Sequence, residues 1–213
     1  MKKNLKELID KKAENLKEFW FDVDGVMTKS GPIAMYETVN SEGGVVGFRK
    51  DEGFLNTILV PLGENGESVP YKIEQFATYD NIVAEGYMFD TRDGKCIEYL
   101  VQNGFPVYFI SGRDSPVVRK RAETLGAIPV LGIMDKLPKL KELSNCSLDE
   151  ILFVGDGIQD CDVLKVAGVS VAPSDACGEA IASAKAITSA KGGDGVLDEI
   201  LKIFLKKKGL WPS

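Results

Sequence analysis

Two aspartates, Asp22 and Asp24, stand two positions apart where the apolar run Phe19–Phe21 ends. Two carboxylates this close repel each other unless a cation lies between them. Mg²⁺ is the simplest such cation, because it binds through one or two carboxylates together with substrate phosphate and water. The alternative is an ordinary Asp-Gly turn held by hydrogen bonds from the aspartate side chains.

A second acidic motif weakens the turn alternative. Asp156 and Asp160 follow the apolar strand predicted for Ile151–Val154. In an open α/β sheet, ligands bind in the crevice outside the carboxyl ends of the strands. Two acidic strand ends in one such sheet therefore predict a magnesium site rather than two unrelated turns.

Three further residues could bind phosphate. Ser111 and Gly112 follow the predicted strand Phe105–Ile110, where a hydroxyl group and a backbone N–H can hydrogen-bond phosphoryl oxygens. Lys136 begins a predicted helix and offers a point charge. Taken singly, each has an ordinary alternative, a turn for the Ser-Gly pair and a solvent-exposed side chain for the lysine.

The composition excludes several kinds of chemistry. The 213-residue chain has no histidine, which removes Ser-His and Cys-His nucleophiles, histidine bases and nearly all catalytic zinc sites. Its four cysteines lack the C-x-x-C spacing of a zinc or redox centre and are expected to be reduced. A net charge of −6 argues against nucleic-acid or anionic-membrane partners. With no signal-peptide pattern and no apolar stretch approaching the ~18–20 residues that span a bilayer, we expect a cytoplasmic protein.

The elements that must position these residues alternate along the chain. An amphipathic helix near residues 5–16 leads into the first strand, and strands and helices alternate after residue 89. This alternation predicts an α/β fold, a Rossmann-like doubly wound parallel sheet covered by helices on both faces. The predicted helices are residues 94–102, 116–125, 136–143, 160–167, from about 177, and 195–207. The predicted strands after the first are residues 105–110, 128–131, 151–154, 169–172 and 186–188.

Residues 29–88 differ from this pattern. They are rich in glycine and contain short β-type runs at 54–60 and 69–73, with hairpin-type turns at 43–44 and 63–66. We interpret them as a β-hairpin-rich insertion into a core formed by residues 1–28 and 89–213. Because the insertion leaves directly after the first acidic motif, it could cover the site or serve as an oligomerisation arm.

The order of these motifs resembles the haloacid dehalogenase superfamily of phosphotransferases, and in detail the 3-deoxy-D-manno-octulosonate 8-phosphate (KDO 8-phosphate) phosphatase group. The resemblance covers residues 19–25 and 89–207. The motifs that carry it are Phe21–Val26, Thr91–Gly94, Ile110–Arg113, Asp135–Lys136, Val154–Asp156, Gly168–Ala172 and Gly192–Val196.

The resemblance implies a role for each candidate. Asp22 would attack phosphorus and form an aspartyl-phosphate, and Asp24 would act first as a general acid and then as a general base. Mg²⁺ would be held by Asp22, the backbone carbonyl of Asp24, and Asp156, with Asp160 as an outer anchor. The phosphoryl oxygens would be bound by Ser111, the N–H of Gly112, and Lys136.

Two arginines are candidates for recognising a substrate carboxylate. Arg92 and Arg113 could each bind such a group in a bidentate manner. The alternative is that they form surface ion pairs with the neighbouring Asp93 and Asp114.

The chain departs from the group in three places. The group has a shorter hairpin after the first motif and uses it to build a tetramer, so the longer insertion puts the assembly in question. Asp198 stands where the group's tail usually has an arginine, which weakens the expectation of the same sugar-acid substrate. Gly157 replaces the second aspartate of the commoner Gly-Asp-Asp, a change that other superfamily members tolerate.

Together these features predict a Mg²⁺-dependent phosphomonoesterase that acts on a small phosphorylated metabolite, with a sugar or sugar-acid phosphate as the leading substrate. The resemblance also implies a homo-oligomer. The alternatives are a phosphotransferase or phosphomutase using the same aspartyl-phosphate, and a non-catalytic scaffold of the same fold. The presence of Asp22, Asp24, Lys136 and Asp156 argues against the scaffold.

Overall fold

The computed structural model describes residues 2–29, 33–36 and 82–212. The hairpin strands and turns predicted between residues 43 and 73 lie outside these ranges. The chain divides into two compact units, one formed by Met1–Gly31 with Met88–Ser213 and the other by Pro32–Tyr87.

The larger unit is built on a six-stranded parallel sheet. The strand order is β5-β4-β1-β6-β7-β8, and every pairing between neighbours is parallel. The sheet confirms the predicted α/β class, and five of its strands lie at or within two residues of the predicted positions. The strands are β1 Glu18–Phe21, β4 Val107–Ser111, β5 Ile128–Leu131, β6 Ile151–Val154, β7 Val169–Ala172 and β8 Ala186–Ile187.

Seven α-helices accompany the sheet in the described part of this unit. Two short 3-10 turns, Leu148–Glu150 and Ile158–Asp160, precede β6 and α5. The helices are α1 Leu5–Lys12, α2 Thr91–Gln102, α3 Pro116–Leu125, α4 Lys136–Leu143, α5 Cys161–Val166, α6 Gly178–Ser183 and α7 Val196–Lys207.

The smaller unit contains one antiparallel strand pair among its described residues. Strand β2 (Ile33–Tyr36) pairs with β3 (Ile82–Gly86), and Ile33 lies opposite Gly86. The role of residues 29–88 as a cap or an oligomerisation arm stays a prediction.

Local signals explain why the helices begin and end where they do. The side chain of Ser115 accepts a hydrogen bond from the N–H of Val118, and Pro116 occupies the first turn of α3. Gly126 ends the helix with a left-handed backbone at φ 73°. These three residues confirm the bounds that the sequence predicted for this helix.

The central strands β1, β4, β6 and β7 are buried on both faces, which is why β1 ends in the apolar run Phe19–Phe21. Phe19 packs against Phe204 of α7 with ring centroids 4.9 Å apart. On the opposite face, Trp20 stacks on Tyr108 at 3.8 Å, within a cluster that also contains Leu140 of α4. Phe19 and Trp20 thus anchor β1 on opposite faces of the sheet. This anchoring fixes the position of Asp22, the residue that follows β1.

Two further observations concern the cysteines and the lengths of the helices. All four cysteines are free thiols, which agrees with the absence of metal or disulfide spacing. In the part of the chain that the structure describes, no helix combines the length and apolarity needed to cross a membrane.

Candidate active site

Three neighbouring strands bring the predicted site residues to one edge of the sheet. Phe21, the last residue of β1, pairs with Phe109 of β4 and Val154 of β6. The next backbone N–H, that of Asp22, donates to the carbonyl of Val154 at 2.9 Å. The site residues that follow these three strand ends are therefore Asp22 and Asp24 after β1, Ser111 and Gly112 at the end of β4, and Asp156 and Asp160 after β6.

Three of these aspartates form a compact carboxylate cluster. Oxygen atoms of Asp22, Asp156 and Asp160 all lie within 4.8 Å of one another. Asp22 and Asp160 are buried, with exposed fractions of 2% and 0%. Burial in a medium of low polarity makes the mutual repulsion of such groups severe, so the cluster needs positive charge.

Lys136 supplies one positive charge. Its Nζ lies 2.7 Å from Oδ1 of Asp22 and 2.7 Å from Oδ1 of Asp160, and its side chain is fully buried. The alternative of a solvent-exposed lysine is therefore wrong. Burial by itself lowers the pKa of Lys136, but the charges and hydrogen bonds of the two carboxylates outweigh it and leave the pKa raised.

Both carboxylate oxygens of Asp160 accept hydrogen bonds. Its Oδ1 accepts from Lys136, and its Oδ2 accepts from the N–H groups of Asp156 and Gly157 at 3.0 Å each. Burial raises the pKa of Asp160, while Lys136 opposes that change. This arrangement orients the loop that carries Asp156, as an outer anchor would.

Asp156 faces Asp22, and among the described residues the lysine of the cluster, Lys136, forms its ion pairs with Asp22 and Asp160 instead. Burial, followed by the charge of Asp22, raises the pKa of Asp156 to about 8. Burial and the charge of Asp22 therefore both disfavour a second ionised carboxylate at this place. A divalent cation bound between the two groups would neutralise both carboxylates at once.

The donor set fits Mg²⁺. Oδ2 of Asp22 is buried and has no hydrogen-bond partner among the described residues, and an unpartnered buried carboxylate oxygen is costly. The cluster holds three carboxylates and one ammonium group, so one divalent cation would balance its charge. All the side-chain ligands offered are oxygens, which is the preference of Mg²⁺.

The backbone turn at residues 22–28, which we call the catalytic turn, presents Asp24. The carbonyl of Val23 accepts from the N–H groups of residues 26, 27 and 28. Gly25 adopts φ 78°, and a Cβ there would overlap Oδ2 of Asp156, so only glycine is accommodated. The half-buried Asp24 lies 3.5 Å from Nε of Arg113, measured at its Oδ2.

The phosphate-binding candidates follow β4. Ser111 is buried, and its Oγ accepts from the N–H of Arg113 at 3.1 Å. A Cβ on Gly112 would lie 2.9 Å from the sulfur of the exposed Met134. The backbone of this segment is held by the β5–α4 connection, because the N–H of Ile133 donates to the carbonyl of Ser111.

The two candidate substrate arginines are placed differently. Arg113 is half-exposed beside Asp24 rather than paired with Asp114. Arg92 forms a bidentate ion pair with Asp90, the N-cap of α2, rather than with Asp93. Asp90 was not among the predicted site residues, although an aspartate directly before a helix is a recognisable N-cap signal.

The departure at Asp198 concerns the helix interface rather than the carboxylate cluster. Asp198 lies in the first turn of α7, where its side chain contacts Lys202 at 2.8 Å and the thiol of Cys96 at 3.5 Å. Its backbone N–H donates to Oδ1 of Asp93 at 2.7 Å. The contacts of Asp198 with Cys96 and Asp93, as the structure describes them, therefore join α2 to α7.

The chain is similar to known phosphatases in sequence. A family model described as haloacid dehalogenase-like hydrolase matches residues 134–200. The 3-deoxy-D-manno-octulosonate 8-phosphate phosphatase KdsC of Yersinia pestis is 33% identical over 121 residues, which are 55% of this chain and 65% of that protein. The protein of the same name from Salmonella typhi is 26% identical over 183 residues, which are 84% of this chain and 88% of that protein.

The fold is shared with solved structures. The crystal structure of 3-deoxy-D-manno-octulosonate 8-phosphate phosphatase from Moraxella catarrhalis, in complex with magnesium ion, phosphate ion and KDO, matches with a TM-score of 0.68 at 24% identity. The match covers 96% of this chain and 93% of that one. The comparisons thus confirm the resemblance that the motifs indicated, to the haloacid dehalogenase superfamily and, within it, to its KDO 8-phosphate phosphatases.

Proposed function

We propose that this protein is a Mg²⁺-dependent phosphomonoesterase that hydrolyses a small sugar-acid phosphate through an aspartyl-phosphate. The observation that carries the proposal is the buried cluster in which Lys136 holds Asp22 at 2.7 Å while Asp156 faces the same carboxylate. The names of the relatives, all KDO 8-phosphate phosphatases, support the reaction class and the substrate class.

In the first step, a carboxylate oxygen of Asp22 attacks phosphorus and the ester bond to the sugar oxygen breaks. Asp24 donates its proton to that leaving oxygen, so the sugar departs as a neutral alcohol. Asp24 suits this role because it is half-buried at the catalytic turn, two residues beyond the nucleophile.

In the second step, Asp24 takes a proton from a water molecule, which attacks the phosphorus of the aspartyl-phosphate. The bond between phosphorus and the oxygen of Asp22 breaks, inorganic phosphate leaves, and Asp22 is restored as a carboxylate. Asp24 thereby recovers the proton that it lost in the first step, and the enzyme returns to its starting state.

Positive charge is required throughout, because a phosphate dianion must approach two carboxylates. Mg²⁺ would be held by Asp22, Asp156 and the backbone carbonyl of Asp24, and it would supply neutralisation of the phosphoryl oxygens. Lys136, the hydroxyl group of Ser111 and the N–H of Gly112 would bind the remaining phosphoryl oxygens as charge redistributes. Asp160 keeps Lys136 and the Asp156 loop in place.

Arg113 is the better placed of the two candidates for binding a substrate carboxylate. Its side chain is 53% exposed and lies beside the proposed acid Asp24. Replacing Arg113 with alanine should raise KM for a sugar-acid phosphate by about 10-fold or more, since hydrogen bonds to charged groups contribute about 1.5–3 kcal/mol. KM for a neutral sugar phosphate should change little. An equal rise for both substrates would contradict carboxylate recognition, and the same comparison with Arg92→Ala tests the second arginine.

The proposed function is tested by measuring phosphate release from sugar, sugar-acid and nucleotide phosphates, with Mg²⁺ and with EDTA. Activity should require Mg²⁺ and should vanish in Asp22→Asn. Asp114→Asn is the matched control, because Asp114 is exposed and pairs with Arg119 on the surface.

The other outcomes separate the alternatives. Phosphate transfer to a sugar hydroxyl group, without release to water, would identify a phosphotransferase or mutase. A folded protein that neither binds Mg²⁺ nor releases phosphate from any ester would favour the scaffold.

A further inference from the structure

The glycine-rich segment Gly192–Gly195, which we call the tail loop, packs backbone-to-backbone on the catalytic turn of the same chain. The N–H of Gly193 donates to the carbonyl of Val26 at 2.9 Å. A Cβ on Gly193 would lie 2.5 Å from the carbonyl carbon of Thr28. No side chain fits between the two segments at this position.

The contact at Gly192 is closer to the chemistry. A Cβ on this buried glycine would overlap the carbonyl oxygen of Gly25 and lie 2.7 Å from its carbonyl carbon. Gly25 in turn contacts Asp156 through its Cα, since a Cβ there would lie 2.6 Å from Cγ of Asp156. Gly25 therefore touches the tail loop through its carbonyl group and the proposed metal ligand through its Cα.

Asp175 ties the tail loop to the loop that carries Asp156. Its Oδ1 accepts from the N–H of Gly192 at 2.8 Å. Two residues further on, the N–H of Cys177 donates to the carbonyl of Asp156 at 3.0 Å. The segment between β7 and α6 thus holds both the tail loop and the Asp156 loop through hydrogen bonds at 2.8 and 3.0 Å.

We propose that Gly192 is a positioning residue for the phosphatase reaction and that Asp175 anchors it, an inference that rests on the proposed function. Gly192 sets how closely Gly25 approaches Asp156, and Asp24 precedes Gly25 directly. A methyl group at position 192 must push the catalytic turn away from its place. A displacement of about 1 Å at reacting groups can lower a rate by as much as about 100-fold.

The test compares Gly192→Ala with Gly178→Ala. Gly178 is a matched control, because a Cβ there meets nothing within 4 Å. In Gly192→Ala, kcat should fall about 10- to 100-fold with KM nearly unchanged, as is typical when groups supporting a metal site are altered. Hydrogen exchange at the amides of residues 22–28 should become faster, while exchange in β4 and β6 stays as in the wild type. Gly178→Ala should match the wild type in all these measurements.

A second pair of variants keeps the inference testable if Gly192→Ala fails to fold. Asp175 is exposed, so its replacement creates no cavity. Asp175→Ala removes the acceptor for the N–H of Gly192 and should lower kcat and speed exchange in residues 22–28. Asp175→Asn retains a side-chain oxygen at the same place and should restore both values.

The outcomes distinguish this inference from the proposed function. If the wild type is active and Gly192→Ala matches it in kcat and in hydrogen exchange, the positioning role is overturned and the proposed function is not. Equal losses in Asp175→Ala and Asp175→Asn would overturn the anchor. A wild type that is inactive on every phosphate ester would contradict the proposed function instead. In that case, unchanged hydrogen exchange in Gly192→Ala would also show that Gly192 does not hold residues 22–28 in place.

Discussion

Lys136 joins two carboxylates from different strand ends, and the chemistry we propose depends on that single ammonium group. Asp22 and Asp160 each lie 2.7 Å from its Nζ, and all three side chains are almost completely buried. A buried charge that loses its partner is strongly destabilising, because neither water nor another group compensates it. The proposed binding of the phosphoryl group and the stability of the folded chain therefore depend on the same contacts of Lys136.

Replacing Lys136 with methionine should lower the free energy of unfolding by about 3–5 kcal/mol in the absence of metal. The loss should be largest at neutral pH and smaller in acid, where protonation relieves the unpaired carboxylates. Urea denaturation with EDTA measures it. Lys139→Met on the same helix is the control, since that lysine pairs on the surface with Glu142 and its replacement should cost about 1 kcal/mol or less. Equal effects of the two variants would contradict the bridging role.

Asp24 has two roles in the mechanism that we propose, general acid and then general base, and a substrate with a good leaving group separates them. p-Nitrophenyl phosphate needs no proton on its leaving oxygen, so Asp24→Asn should still form the aspartyl-phosphate from it. Hydrolysis of that intermediate should be slow, because the general base is lost. Rapid-mixing kinetics should show a burst of nitrophenol equal to the enzyme concentration, and turnover without a burst would contradict the second role.

The junction of helices α2 and α7 contains a buried acid that joins the two helices through a hydrogen bond. Asp93 at the start of α2 accepts from the N–H of Asp198, which lies in the first turn of α7. Its other oxygen is buried without a hydrogen-bond partner among the described residues. Burial raises the pKa of Asp93 to about 7. An uncharged acid therefore caps α7 below that pH.

The free energy of unfolding of Asp93→Asn should rise relative to wild type as the pH increases. Ionisation of Asp93 is disfavoured in the folded chain, so its penalty is absent below the unfolded pKa of 3.8 and complete above the folded pKa of about 7. The asparagine can still accept from the N–H of Asp198 but does not ionise. The gain across this range should be on the order of a few kcal/mol. Urea denaturation between pH 4 and pH 8 measures it, and a difference that stays constant with pH would contradict the interpretation.

Binding of the proposed metal ion should stabilise the whole molecule, because the carboxylate cluster joins the ends of β1 and β6, strands that lie next to each other in the sheet. At 100 times its dissociation constant, Mg²⁺ should raise the free energy of unfolding by about 2.7 kcal/mol. Thermal unfolding with Mg²⁺ and with EDTA measures the effect. Asp156→Asn should lose it and Asp114→Asn should keep it. The same stabilisation in Asp156→Asn would place the ion elsewhere.

Assembly is the second question at this scale. The resemblance predicts a homo-oligomer, and light scattering on the purified protein should then give a multiple of the 23.2 kDa chain mass. The insertion at residues 29–88 is the predicted contributor, as an arm between subunits or as a cover over the site. A mass of 23.2 kDa at working concentration would contradict assembly.

Much of the fold could be predicted because its signals act over a few residues. Ser115, Pro116 and Gly126 define α3 through hydrogen bonds and backbone angles within one helix. Strand β1 reads as a buried parallel strand because both of its faces are covered. The two acidic motifs likewise predicted that the strand ends before Asp22 and Asp156 would meet, because the carboxyl ends of parallel strands line one crevice.

The contacts that could not be predicted join residues far apart in sequence. Lys136 lies 114 positions from Asp22, and neither spacing nor helical pattern indicates that its side chain is buried between two carboxylates. The same holds for Gly192 and Gly25, whose contact arises where the segment before α7 returns to the first strand end. By itself the sequence determined the elements and the candidate residues, since those depend on local hydrogen bonding and apolar periodicity. The partners of each charge and the closeness of backbone to backbone were decided by topology, because packing joins segments that share no local signal.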